Sequence, residues 1–294
     1  EQLTRATLVR ATRSKRQLFE VMTHFWSDHF NIDVSKKECR WLKAADDREV
    51  VRKNALGNFS DLVRASALSP AMLWYLDGRE NRKRNSSETP NENYARELLE
   101  LHTLGVGGGY TQKDVMEVAR CLSGWTVRDK GRFYKGRVEF FSDAHDDGSK
   151  IVLGHEIASG GGEKDLDDVL EIVCEHASTA RYLAKKLCIR FIADEPSNES
   201  IEATAKAFSS SRGDILTTLR AVFATDEFLT GARGQKLKRP FEFIVSALRG
   251  TRAKVSSEMD LVDYLIRMGH APFQYPTPDG YPDVASPWTG TLLW

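Results

Sequence analysis

Long apolar runs, an excess of one charge and paired cysteines are all missing from this chain. No stretch approaches the ~18 apolar residues that span a bilayer, so no membrane span is expected. The 42 Lys and Arg balance 42 Asp and Glu, which removes the basic footprint of a nucleic-acid binder. The four cysteines, Cys39, Cys121, Cys174 and Cys188, include no C-x-x-C pair, so zinc and thioredoxin-like spacings are absent. One or two disulfides stay open at this point. P-loop, G-x-S-x-G and H-E-x-x-H patterns are also lacking, so the common NTPase, hydrolase-elbow and zincin mechanisms have no support. Gly105-Val106-Gly107-Gly108-Gly109 follows a helical pattern where a dinucleotide fingerprint needs a strand. No motif names a cofactor.

What is present suits a folded domain. The chain has 294 residues, 41% hydrophobic and 29% charged, which excludes a disordered polymer. At this length, folding buries about three-quarters of the unfolded chain's surface. The opening at Glu1 and the apolar end at Leu292-Leu293-Trp294 suggest a domain cut at both ends.

Helical periodicity dominates. From Ser14-Lys15-Arg16-Gln17, a capping-box pattern, Leu18, Val21, Met22, Phe25, Trp26, His29 and Phe30 fall on one half of a helix. Gln17, Glu20, Thr23, His24, Ser27 and Asp28 fall on the other, the face expected to meet water. A charged segment, 36–52, precedes helical pieces at 50–56, 61–68 and 70–76. The polar stretch 77–87, with Arg82-Lys83-Arg84, reads as a mobile solvated loop in preference to a binding patch. Helices follow at 91–104 and 114–125. Phe133, Val138, Phe140 and Phe141 around Lys135-Gly136 suggest a hairpin, and 151–153 a further strand. Further helices are expected at 164–176, 179–193, 198–209, 213–224, 240–250 and 257–269. The proline-rich tail from Ala271 must be extended. The expected fold is mainly α: one multi-helix domain over 1–294 with a small β-hairpin insertion near 132–153. Its parts are helical 1–125, a β insertion 126–162, helical 163–270 and an extended tail 271–294.

Three groups of residues could carry chemistry. His29 and His102 each lie on the apolar arc of a helix, as satisfied core histidines or as a site where two helices meet. Asn93, Arg96 and Glu97 share the 91–104 helix with Glu92 and Glu100, either as a salt-bridged surface or as a ligand-facing set. Asp143-Ala144-His145-Asp146-Asp147-Gly148-Ser149-Lys150 faintly echoes a calcium loop, but Gly154 stands where a bidentate Glu is required. A polar turn, or an anion held by His145, Asp146 and Lys150, are the other readings. The six tryptophans suit core packing or a carbohydrate platform.

The segment Asn91-Glu92-Asn93-Tyr94-Ala95-Arg96-Glu97-Leu98-Leu99-Glu100-Leu101-His102-Thr103-Leu104-Gly105 is distinctive. Gly108-Gly109-Tyr110-Thr111, Leu122-Ser123-Gly124-Trp125 and Pro278-Asp279-Gly280-Tyr281-Pro282 accompany it. Together they strongly resemble the bacterial "domain of unknown function 1800" family, over essentially the whole chain. The resemblance implies a mainly helical fold and export from the bacterial cell, to the periplasm, the surface or the medium. It selects His29, Asn93, Arg96, Glu97, His102, His145, Asp146 and Lys150 without giving them roles.

Two functions are expected from these readings. One is non-catalytic binding of an unknown protein or surface polysaccharide. The other is a hydrolase with Glu97 as acid/base, His29 or His102 as its partner, and Arg96 or Lys150 as anion clamp. A metal-assisted version would use His29, His102, His145 and Asp146 as ligands.

Overall fold

The computed structural model describes residues 2–83, 85, 87–128, 136–253 and 258–290. The fold is mainly helical, with fourteen α-helices and two small antiparallel two-stranded sheets among those residues. In the first half, α1 (Gln2–Arg13), α2 (Gln17–His29) and α3 (Cys39–Asp46) are followed by α4 (Phe59–Ala67) and α5 (Pro70–Tyr75). Then come α6 (Asn93–Glu97) and α7 (Gln112–Cys121). In the second half, α8 (Lys164–Glu175), α9 (Ala177–Phe191), α10 (Asn198–Ser210) and α11 (Ile215–Phe223) are followed by three more. These are α12 (Asp226–Gly231), α13 (Pro240–Thr251) and α14 (Glu258–Arg267). The main core joins Met22, Trp26, Phe30, Phe59, Leu62, Leu98, Leu99, Leu183 and Leu219. A smaller core of Leu8, Ala11, Phe241, Val245, Leu265 and Ala271 holds α1, α13 and α14 together.

Local signals act as expected at several ends. Thr111 and Asp114 form a reciprocal capping box at the start of α7, a device worth about 1 kcal/mol. Ser69-Pro70 separates α4 from α5, with the proline at the first helical turn, where its missing N–H costs nothing. At Ser14 the expected box does not form. The Ser14 hydroxyl accepts from Arg16 N instead, and α2 starts at Gln17 without a side-chain cap.

Two π-helical turns depart from the 3.6-residue period. Asp47–Arg52 continues α3 and Leu98–Thr103 continues α6. The second ends where Gly105, at φ +84°, donates its N–H to Leu99 O. The wider turn rotates the faces that the sequence period predicts. Leu98, Leu99, His102 and Thr103 are buried, while Leu101 is only half-buried.

The insertion differs from the expected hairpin. Strand β1 (Trp125–Val127) pairs with β2 (Val138–Phe140), and β3 (Lys150–Val152) with β4 (His155–Ile157). The first strand therefore comes from the end of the preceding helical pattern; Phe133 and Lys135 lie outside the described residues. Around Asn81 the chain is also more tightly held than a solvated loop. Asn81 is buried: its amide donates to Ala119 O, its Oδ1 accepts from Asn91 N, and its carbonyl accepts from Gly124 N. The tail over 271–290 is not extended as expected but runs as a series of turns and bends, with Phe273 and Gly280 at positive φ and a short 3-10 turn at Ser286–Trp288; Asn31 ties it to α2 by donating to Tyr275 O and Thr277 O.

Candidate functional site

His29 and His102 do meet, but inside the core. Their relative exposures are 1% and 0%, and their rings are centred 6.2 Å apart. The His29 Nε2–H donates to the His102 carbonyl at 3.0 Å, while His29 Nδ1 and both ring nitrogens of His102 have no hydrogen-bond partner. Burial, and then the Lys186 charge, hold His29 well below its usual range and His102 at about 3. Both are therefore neutral and sealed from solvent at pH 7.

The 143–150 turn forms a second enclosed group. His145 Nε2 lies 3.1 Å from Asp165 Oδ2, and the Lys150 ammonium pairs with the same oxygen. All three side chains are essentially inaccessible. The other ring nitrogen of His145 faces Ser123 O at 2.8 Å. Asp146 turns away and accepts two N–H groups of Arg120, each at 3.0 Å. The turn thus stitches α7 to α8. Asp165 is the residue that sequence reasoning missed, because it sits among apolar positions of an amphipathic helix start.

Asn93, Arg96 and Glu97 lie on the outer rim. Asn93 donates to Leu76 O, and Arg96 bridges Glu92 and Gln112 across the gap between α6 and α7. Glu97 is half-buried; burial, and then the Glu100 charge, push its carboxyl up. Exposed Asp279, in the tail, acts in the same direction. Nearby Lys186 is pushed down to about 8 by burial, although Asp283, Asp28 and Asp279 oppose this. Among the described residues, no hydrogen bond or ion pair joins the His29–His102 pair, the Asp165 group and the Glu97 rim.

The supposed water-facing half of α2 is the largest departure from expectation. Thr23, His24 and Ser27 are buried because α13 and the tail cover them. Arg239 reaches Glu242 at 2.6 Å, Asp28 at 3.2 Å and His24 Nδ1 at 3.5 Å. Arg190 joins Glu242 at 2.9 Å and Asp283 at 3.0 Å. Burial alone would raise the Glu242 carboxyl, but the two guanidinium groups outweigh it and hold it well below its usual range.

This network contains a three-residue group with metal-ligand spacing. His24, Asp28 and His270 offer ligand atoms within 4.8 Å of one another, and they are the only such group among the described residues. The surrounding chemistry fits ion pairing better than a cation site. Arg239 already faces His24 and Asp28, and His270 Nδ1 accepts the Phe241 backbone N–H at 3.2 Å. A cation would have to displace a guanidinium that is itself 3% exposed. His29, His102, His145 and Asp146 do not gather in this way.

Two clefts open at the surface. One, about 390 Å³, is lined by Arg79, Arg82, Trp125, Val127, Arg128 and Phe141, together with Asn81 and Gly124. The other, about 640 Å³, lies between α4, α8 and α10 and carries Asp61, Asp167, Glu171 and Glu175 against Arg64 and Arg212. All four cysteines are free and buried, which closes the disulfide option among them.

Comparison with known proteins gives one match. A family described as "Protein of unknown function (DUF1800)" covers residues 1–293. No curated protein and no solved structure matches the chain.

Proposed function

The chain belongs to the DUF1800 family, and from that premise we propose that it is an exported bacterial protein that binds a surface polysaccharide. The supporting observation is the 390 Å³ cleft, which sets Trp125 and half-exposed Phe141 beside guanidinium groups. Sugar sites combine an aromatic face for the ring's apolar side with fixed polar groups for its hydroxyls. The enclosure of His29, His102, His145 and Lys150 supports binding over acid/base catalysis by those residues, since a catalytic group must come within hydrogen-bond reach of its substrate. Purified protein applied to immobilised surface polysaccharides should be retained, and Phe141→Ala should weaken retention. Capture of a protein partner with no polysaccharide retained would overturn the reading. Cell fractionation tests export: the chain should leave the cytoplasmic fraction.

A second reading keeps one part of a hydrolase. Glu97 is half-buried with a raised carboxyl, the state a general acid needs. Asp279 lies close enough to add to that shift. If the retained polysaccharide is also cut, Glu97→Gln should abolish release of reducing ends while binding persists. No release by the wild-type protein would remove this reading.

A further inference from the structure

We infer that the cleft between the 78–83 segment and β1 is built for a ligand bearing a compact anionic group: a sugar sulfate, phosphate or carboxylate. The inference rests on the binding reading above for the sugar, but not for the charge. Arg79, Arg82 and Arg128 line the cleft, and among the described residues no Asp or Glu does. Arg79 and Arg82 share Glu80, one on each oxygen, at 2.6 and 2.8 Å. Arg128 pairs with Glu139. Two of the lining guanidinium groups thus share a single carboxylate, which lies outside the lining.

The walls also carry a surplus of donors. Arg79 Nε and Trp125 Nε1 are buried N–H groups with no acceptor, and neither group can itself accept. In a folded protein such donors are normally satisfied. Two such donors on residues that line one cation-lined cleft indicate an environment short of acceptors.

The arginines are also held in place. The Arg79 guanidinium lies 3.6 Å from the centre of the Trp74 ring, the Arg79 carbonyl accepts from Thr126 Oγ1, and the carbonyl of buried Asn81, just before Arg82, accepts from Gly124 N. Planar guanidinium groups fixed in this way match the oxygen pairs of carboxylate, sulfate and phosphate, and less ordering is lost on binding. The other surface cleft makes the contrast, with four carboxylates facing two arginines. The chain's zero net charge therefore conceals a local division of sign.

The test is isothermal titration of the whole chain with four probes: dextran sulfate, polygalacturonate, neutral dextran and inorganic phosphate. The variants are Arg82→Gln, whose side chain is 38% exposed, and the double change Arg79→Gln with Arg82→Gln, each checked for fold by circular dichroism. Binding of at least one acidic polymer is expected, weakened about tenfold by Arg82→Gln and further by the double change, and falling with added salt. The preferred polymer distinguishes sulfate from carboxylate. Equal binding of neutral dextran by all three proteins would overturn the anion assignment and leave polysaccharide binding standing. Phosphate binding that the variants lose, with no polymer bound, would keep the anion assignment and overturn the polysaccharide. Acidic polymers bound equally by wild type and the folded Arg82→Gln protein would also overturn the anion assignment.

Discussion

His145 and Lys150 converge on one oxygen of Asp165, and all three side chains are sealed inside the protein. Removing one member of such a group leaves the others buried and unpaired. Asp165→Asn should therefore cost roughly 3–5 kcal/mol, the range for breaking a buried pair. Urea unfolding followed by circular dichroism measures this. A loss under about 1 kcal/mol would mean that the group is solvated in solution.

The enclosed histidines predict acid sensitivity well above the carboxylate range. His29, His102 and His270 all have folded pKa values pushed well down, first by burial, with His102 at about 3. The unfolded chain takes up protons near pH 6.5 and the folded chain does not. Stability should thus be complete above about pH 6.5 and fall as pH drops below it, by up to about 1.4 kcal/mol per pH unit per histidine. Urea midpoints at pH 7.5, 6.5, 5.5 and 5.0 test the slope, and His102→Gln should reduce it by up to one proton.

Gly280 predicts a steric limit on the tail. Its φ is +71°, and an added Cβ would lie 2.0 Å from Asp28 O, a backbone atom at the end of α2. Gly280→Ala should cost roughly 1–3 kcal/mol, as overpacking does, or more because neither backbone can yield. Limited proteolysis should then cut the variant in the 271–290 segment faster than the wild type.

The cysteines predict chemical silence in the native state. Burial raises Cys39 to about 11 and Cys121 and Cys174 to about 12, and raises Cys188 as well. Thiolate is the reactive form, so Ellman's reagent should titrate none of the four at pH 8 before unfolding and all four after it.

Most helices were legible because apolar residues recur with helical period and proline, threonine and glycine punctuate them. The Thr111 box and the Ser69-Pro70 break are examples. The π-helical turn at 98–103 was not legible, since a 3.6-residue projection puts Leu101 on the buried arc and misses Thr103. The faces of α2 failed for another reason. His24 and Asp28 read as polar surface, yet their partner Arg239 lies more than 200 residues away in sequence, and no local pattern carries such a contact. The motif residues lie in three separate places in the fold. Asn93 and Arg96 hold neighbouring segments together, and His145 and Lys150 need Asp165 to be understood. Arg82 was noticed as part of a charged loop, but the cleft it lines depends on β1 folding back over that loop.

Under the proposed function, polysaccharide is held in the cleft formed by 78–83 and 124–128. Hydrogen–deuterium exchange with and without saturating acidic polysaccharide tests it most directly. Slowed exchange confined to those two segments and to neighbouring Phe141 and Ala144 is the predicted result. Unchanged exchange there, with protection appearing instead around Glu97 and Asp279, would contradict it.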